Sequence, residues 1–379
     1  MTVGMMFGAG IFALPYGFSR AGLFWGSASF VLAFCLMIFL HFLYAEVTHF
    51  TKGKHRFTGY VGMFLGAKAK QFAFLTTLAS YYGTLLIYGL LGGIFLSNFF
   101  NGAYRFEISV AFFVLSSFLL LLNISKIAEI NFYLTIPLFG FVVYLLFIAI
   151  PEIKTENLLS GLSFDFKGDW FLPYGIWIFA LSAFASLPEA RDIFSKYPVV
   201  HFRRMIAASI ILSSLFYFLF IFAVWGVSGP DTAPDALSGL AKVLKTKALL
   251  AGSFIGFLAV FTSFLAMGED MKNIFKYDYG VPKSIAWLLV VAPPVALFVL
   301  GAVDFAAILS VIGAVGLGVF GIFIILMARK LREVIKNGDS AGLLRPGIGK
   351  PAKARPLVEI FSLVGITVAA LYELWRIFV

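Results

Sequence analysis

The sequence reads as an all-α integral membrane protein with about eleven transmembrane helices, and three observations say so. Of its 379 residues, 61% are hydrophobic and only 13% are charged, and the mean hydropathy of +0.97 leaves too little polar surface to coat soluble domains of that length. The apolar blocks are continuous: residues 108–124 carry no charge, with Ser109, Ser116, Ser117 and Asn123 as their only polar side chains. A membrane β-barrel would instead alternate apolar and polar positions. Finally, the basic residues gather in alternate connections between the blocks, as they do in helical membrane proteins.

A helix needs about 20 mostly apolar residues to cross roughly 30 Å of hydrocarbon. By that criterion and the charge boundaries, the spans fall at 1–18, 23–48, 70–99, 106–123, 127–150, 172–194, 203–227, 247–268, 284–300, 304–327 and 357–378. With the N-terminus in the cytoplasm, the inward connections hold Lys52, Lys54, Arg56, Arg191, Arg203, Lys276, Arg329 and the basic run that follows. The outward ones hold fewer, among them Arg20, Arg105, Lys154 and Arg376. An odd span count then leaves the C-terminus outside. The net charge of +10 is therefore a matter of orientation in the cytoplasmic membrane and does not point to nucleic acid. The single cysteine, Cys35, makes no intramolecular disulfide and no cysteine metal site. Metalloprotease, phosphate-loop and serine-hydrolase motifs are absent from the sequence, so it is not read as an enzyme.

The first span contains Gly8-Ala9-Gly10-Ile11-Phe12-Ala13-Leu14-Pro15, and the sixth contains Phe179-Ala180-Leu181-Ser182-Ala183-Phe184-Ala185-Ser186-Leu187-Pro188. Glycine weakens a helix and proline cannot donate to the carbonyl four residues back, so both are places where a membrane helix can unwind. Each is followed by one span and then a connection of similar length, 50–69 and 228–246. That spacing predicts a duplication: a five-helix repeat over 1–150, an inverted one over 151–329, a basic cytoplasmic linker over 330–356 and an eleventh helix over 357–379. Interrupted spans at matching positions point to a transport site near the membrane midplane.

A half-helix that starts at a break presents free N–H groups suited to a carboxylate, and one that ends there presents carbonyls suited to an ammonium group or a metal cation. An α-amino acid carries both groups on one carbon. The expected substrate contacts are Gly8, Ala9, Gly10, Ile11 and Phe12 for the carboxylate. Phe179, Ala180, Leu181, Ser182 and Ala183 are expected to take the amine and shape the side-chain pocket. Tyr81 or Tyr82 in the third span is expected to close over the substrate, with packing as the alternative for each.

The two interrupted motifs, together with Tyr16 and Leu187-Pro188-Glu189, resemble the amino acid permeases of the amino acid/polyamine/organocation superfamily. Within it they are most similar to the amino acid/auxin and hydroxy/aromatic amino acid permease branches. The resemblance implies a leucine-transporter-like fold, a five-plus-five inverted repeat with helices 1 and 6 broken, and import by alternating access. Two departures stand out. Only residues 1–7 precede the first break, roughly 10 Å of helix, so either the inner half-helix is unusually short or the chain lacks its cytoplasmic N-terminus. The fifth span, 127–150, has no lysine in the place where some proton-coupled relatives use one instead of sodium.

Coupling to sodium or protons therefore stays open, and no other cofactor is expected. Thr262 and Ser263 in the eighth span resemble the hydroxyl ligands of sodium-coupled relatives, and hard cations want such oxygens; the alternative is a bond back to their own helix. Glu46 is the preferred gate or proton carrier, because a buried carboxyl at membrane depth is costly unless paired. Glu129 and Glu189 are read as helix-end carboxylates reaching water, and His41 as a hydrogen-bonded packing residue. Glu269-Asp270 and Arg191-Asp192 are read as solvated helix ends or an inner gate. Asp235 or Ser238 is expected to cap a short external helix before Leu240, Val243 and Leu244. The reading that results is a secondary active transporter for a neutral or aromatic amino acid, with the lipid bilayer as its surroundings and one chain sufficient for the site. An uncoupled exchanger or facilitator on the same fold, and a membrane amino acid sensor that binds without transport, are the alternatives.

Overall fold

The computed structural model describes residues 2–121, 124–159, 169–240, 246–301, 304–338, 342–345, 353 and 355–378. Regular structure among them is helical, apart from an isolated bridge between Thr51 and Leu344.

The first span is interrupted as its glycines predict. A stub, α1 (Thr2–Met6), precedes the break, and α2 (Ala9–Phe50) follows it. α2 contains both the rest of the first span and the whole second span. The two are folded about Gly22, at φ 80° and ψ 172°, a conformation open to glycine without a Cβ penalty. Next come the short α3 (Phe57–Leu65) and the spans α4 (Ala67–Ser97), α5 (Arg105–Leu119) and α6 (Ile124–Ala149).

After a further short helix, α7 (Thr155–Leu159), the sixth span is split into α8 (Leu172–Ala180) and α9 (Leu187–Phe194). Pro188 stands in the first turn of α9, where its missing N–H costs nothing. α10 (Val199–Ser228), the one-turn α11 (Leu237–Leu240), α12 (Thr246–Asn273) and α13 (Lys283–Val299) follow. α14 (Phe305–Val311) runs through a π-helical stretch, Ile312–Gly316, into α15 (Leu317–Asn337), and α16 (Pro356–Phe378) is last. Six of these stretches are long and apolar enough to cross a membrane by themselves. Two shorter apolar helices, Ile136–Glu152 and Lys283–Val299, stand beside them.

α2 lies against α8 and α10, while α12 packs against α4 and α6, so the interrupted spans sit at the centre of the bundle. Aromatic rings fill the space around them. Phe12 meets Phe95 at 4.7 Å and Phe220 at 5.7 Å between ring centroids, and the Trp177 indole donates to the Gly26 carbonyl at 3.2 Å.

Two expectations change, and one alternative is decided. The tenth span continues as helix to Asn337, so the first residues of the 330–356 stretch belong to α15. The same stretch also returns to the bundle, with Lys52 N donating to Leu343 O and Arg345 N to Phe50 O, both at 2.9 Å. The cap of α11 is Asp235, whose carboxylate accepts from Ser238 N at 3.2 Å and Ser238 Oγ at 2.7 Å. Burial pushes the Asp235 carboxyl up from its ordinary value against those bonds. Val243, Leu244 and the side chain of Glu129 lie outside the described residues.

Candidate functional site

At the first break, Phe7 N donates to Val3 O at 3.0 Å and Gly8 N to Met6 O at 2.8 Å, after which the helix restarts at Ala9. No side chain caps that restart, and the leading amides of a helix have no acceptor within it. At the second break, α8 ends at Ala180 and the Ala183 amide donates to His41 Nε2 at 3.1 Å. An amide can only donate, so the hydrogen of His41 must sit on Nδ1, which faces the Met37 carbonyl at 2.7 Å. The ring stacks on Phe184 at 4.2 Å. His41 is thus the hydrogen-bonded packing residue expected, and it also holds the unwound backbone in place.

One side chain spans both breaks. The Tyr217 hydroxyl on α10 lies 2.6 Å from Met6 O and 2.9 Å from Ala180 O, a single proton between two carbonyls. The helices themselves cross in contact at Gly10, where a Cβ would stand 2.6 Å from the Ala180 Cα.

Beside this crossing is a cavity of about 40 Å³, whose walls include Gly8, Tyr81, Tyr88, Phe179, Ser182, Ala183, Phe184, Met267 and Phe320. Its lining carries no formal charge. Ser263 Oγ and the Tyr88 hydroxyl flank Gly8, each 3.0 Å from where a Cβ would be.

The sequence profile of the tryptophan/tyrosine permease family matches residues 1–340. The chain belongs to that family. A search of curated protein sequences finds no match. Among solved structures, the permease is similar to one described as the crystal structure of MhsT in complex with L-phenylalanine, with a TM-score of 0.72 and 14% identity over 97% of each chain. The fold is therefore that of the leucine-transporter class, and the molecule is a multi-pass membrane transporter for amino acids, not an enzyme.

Of the residues singled out from the sequence, the permease brings Gly8, Tyr81, Phe179, Ser182 and Ala183 to the cavity. Ala9, Gly10, Ile11, Phe12, Ala180 and Leu181 stand behind its wall, fully buried in helix contacts. A helix restarting at Ala9 turns its next side chains through all directions, so a run of five cannot all face one small space. Tyr82 points away and donates to the Leu289 carbonyl on α13 at 2.8 Å. The Thr262 hydroxyl is used within its own helix, 3.0 Å from both Leu258 O and Ala259 O, which leaves Ser263 as the hydroxyl beside the first break. Glu46 is removed from the cavity: it is fully buried in an ion pair with Arg203 on α10.

The motifs missed Tyr88 and the ionic cluster beyond Tyr81. Tyr88 follows Tyr81 by seven residues on α4, two helical turns, so a same-face reading would have found it. The cluster begins where the Tyr81 hydroxyl donates to Asp270 Oδ2 at 2.8 Å. Arg56, in the connection between α2 and α3, pairs with Asp270 at 3.0 Å and with Glu189 at 2.8 Å. Burial alone would push the Arg56 guanidinium down, but Asp270 and Glu189 outweigh it and hold it above its ordinary value. Glu189 and Asp270 are thus paired and largely buried, not solvated helix ends. Asp278 fastens α3 alongside, accepting from Thr58 Oγ1 and Gly59 N, each at 2.7 Å. Phe57 of α3 stacks on Phe320 of the cavity wall at 4.0 Å, so the cluster and the cavity share a boundary.

Proposed function

We propose that the permease carries a large neutral amino acid, aromatic in the first instance, by cation-coupled alternating access. The observation that carries this reading is the uncharged cavity where the two interrupted helices meet. The uncapped start of α2 at Gly8 suits a carboxylate, and the carbonyl-rich end of α8 near Phe179 suits an ammonium group. Phe179, Phe184, Met267 and Phe320 offer an apolar and aromatic surround with no counter-charge for a basic or acidic side chain. The bound L-phenylalanine of the structurally similar MhsT is in keeping with this class.

At about 40 Å³ the cavity holds a few waters and is too small for an aromatic ring, so substrate entry requires the wall to move. The Arg56–Asp270–Glu189 cluster is the gate on one side in this reading, and it faces the cytoplasm if the basic connections do. The N-terminus then lies inside and the C-terminus outside, with repeats over 1–150 and 151–329 rocking about the site. Ser263, beside Gly8, is the hydroxyl placed to join first-helix carbonyls around a sodium ion, with proton coupling as the competing arm of the test.

The deciding experiment is the thermal midpoint of the purified permease against a panel of amino acids, in sodium or choline and at two pH values, because a ligand that binds only the folded state raises the midpoint. A shift with aromatic amino acids that requires sodium supports the whole reading. A sodium-independent but pH-sensitive shift moves the coupling to protons. A shift only with charged amino acids, or with none, refutes the substrate class. Counterflow in proteoliposomes without an ion gradient dependence would identify an exchanger, and binding without flux a sensor.

A further inference from the structure

Two cavities away from the substrate site meet at Phe39. One is an apolar groove of about 660 Å³ between α2 and α16, walled by residues that include Leu36, Phe39, Tyr174, Phe361, Ala369 and Tyr372. The other is a pocket of about 210 Å³ at the end of the same groove, where Arg203, Arg332, Lys353 and Arg355 face Glu46 and Glu359.

The charges in that pocket do not balance. Glu46 is taken by Arg203, and Glu359 is shared between Arg329, at 2.7 Å, and Arg332. Lys353 and Arg355 are exposed and have no carboxylate partner among the described residues. The Arg203 Nε is buried without a hydrogen-bond partner, and its guanidinium lies 5.8 Å from the Phe42 ring centroid. The pocket therefore presents excess positive charge and spare N–H donors, the geometry that arginines offer to phosphate oxygens.

The groove has the complementary shape. From Val358 to Tyr372 it follows α16 for about 21 Å at roughly 1.5 Å per residue, longer than the roughly 15 Å depth of one leaflet's hydrocarbon. Its far end is closed by Trp170, whose indole donates to the Tyr372 hydroxyl at 2.8 Å. Those are residues of the kind that settle at a membrane interface. An apolar channel of acyl-chain length thus opens at one end into a cationic pocket at the opposite membrane surface.

We propose that this site binds an anionic phospholipid from the leaflet that the basic end of the bundle faces, with an acyl chain in the α2–α16 groove and the phosphate against Arg203, Lys353 and Arg355. Any lipid-facing groove collects acyl chains. What separates this site from ordinary surrounding lipid is discrimination by headgroup charge.

The test uses the full chain, purified and exchanged into neutral detergent. Its thermal midpoint is followed during titration with phosphatidylglycerol, with phosphatidylcholine of the same acyl chains, and with inorganic phosphate. Phosphatidylglycerol is expected to raise the midpoint at concentrations where phosphatidylcholine and phosphate do little. Replacing Lys353→Gln and Arg355→Gln together should weaken phosphatidylglycerol about thirtyfold, from the worth of two basic residues at an anionic surface, and leave phosphatidylcholine unchanged. Gly365→Leu places its Cβ in open groove space, with nothing within 4 Å, and should weaken phosphatidylglycerol without loss of the basic pocket. Equal shifts with the two lipids, an unchanged phosphatidylglycerol response in the double variant, or a full response to inorganic phosphate alone would each overturn the proposal. The two sites share no lining residue, so failure here leaves the amino acid reading untouched.

Discussion

Tyr217→Phe removes one oxygen and leaves the ring where it is. The Met6 carbonyl keeps the Gly8 amide at 2.8 Å, so the loss falls on the Ala180 carbonyl, at a helix end where no further amide of α8 follows it. An acceptor orphaned in a buried place costs about 1–3 kcal/mol, and hydrogen bonds between membrane helices average about 0.6 with a maximum of about 1.7. The overlap sets the expected loss at about 1–1.5 kcal/mol, or roughly five- to tenfold in any equilibrium that needs the two breaks held together. The assay is amino acid affinity and thermal midpoint of the variant beside Tyr44→Phe. The Tyr44 hydroxyl is buried and has no hydrogen-bond partner among the described residues, so its removal should leave the midpoint unchanged or raise it. If Tyr217→Phe loses nothing, or if Tyr44→Phe loses as much, the bridging role assigned to Tyr217 is wrong.

Two glycines of the first break should separate cleanly. A methyl at Gly8 meets only side-chain atoms, Ser263 Oγ and the Tyr88 hydroxyl at 3.0 Å, whereas one at Gly10 meets the Ala180 Cα at 2.6 Å. Gly8→Ala is therefore expected to fold and to bind amino acid about tenfold more weakly, an overpacking cost within about 1–3 kcal/mol. Gly10→Ala should melt early with or without ligand, and equal behaviour of the two in a ligand-shift assay would remove Gly8 from the site. Arg56→Gln strands two carboxylates that are largely buried, and breaking such a pair costs about 3–5 kcal/mol, reduced here because Glu189 is partly exposed. A large drop in midpoint is expected, with Arg56→Lys intermediate; a wild-type midpoint in Arg56→Gln would mean that the cluster does not hold the structure closed.

Much of this architecture was written in composition and in two short motifs. Continuous apolar blocks, and small residues followed by Leu-Pro at two matching places, are local signals whose physical cause acts within a few residues, and the broken spans appear where they stand. The side-chain identities at the site were less legible. Gly8 and Gly10 look alike in sequence, yet one opens on the cavity and the other is pinned against Ala180, because a helix rotates successive residues by about 100° each and the motif does not say where that rotation begins. Glu46 was correctly seen as a buried carboxyl needing a partner, but Arg203 lies more than 150 positions away and only the packing of α10 on α2 brings it near. Arg56 was counted as one more cytoplasmic charge, since nothing around it in sequence announces Asp270 or Glu189.

The fold about Gly22 has a mechanical meaning. With no loop between them, the two arms of α2 are joined through the single non-helical residue Gly22, so any change in the angle between them falls on the dihedrals of a glycine, the residue that resists it least. The stub before Gly8 lies at the other end of the first span, packed against α10, α12 and α6. At the break it is held by the turn at Phe7–Gly8, by the proton of Tyr217 and by the Phe7 ring packed on Phe139, Phe216 and Tyr217. A cycle that bends α2 at Gly22 would therefore leave the contacts at the break in place, and one end of the first span could move while the other stays held.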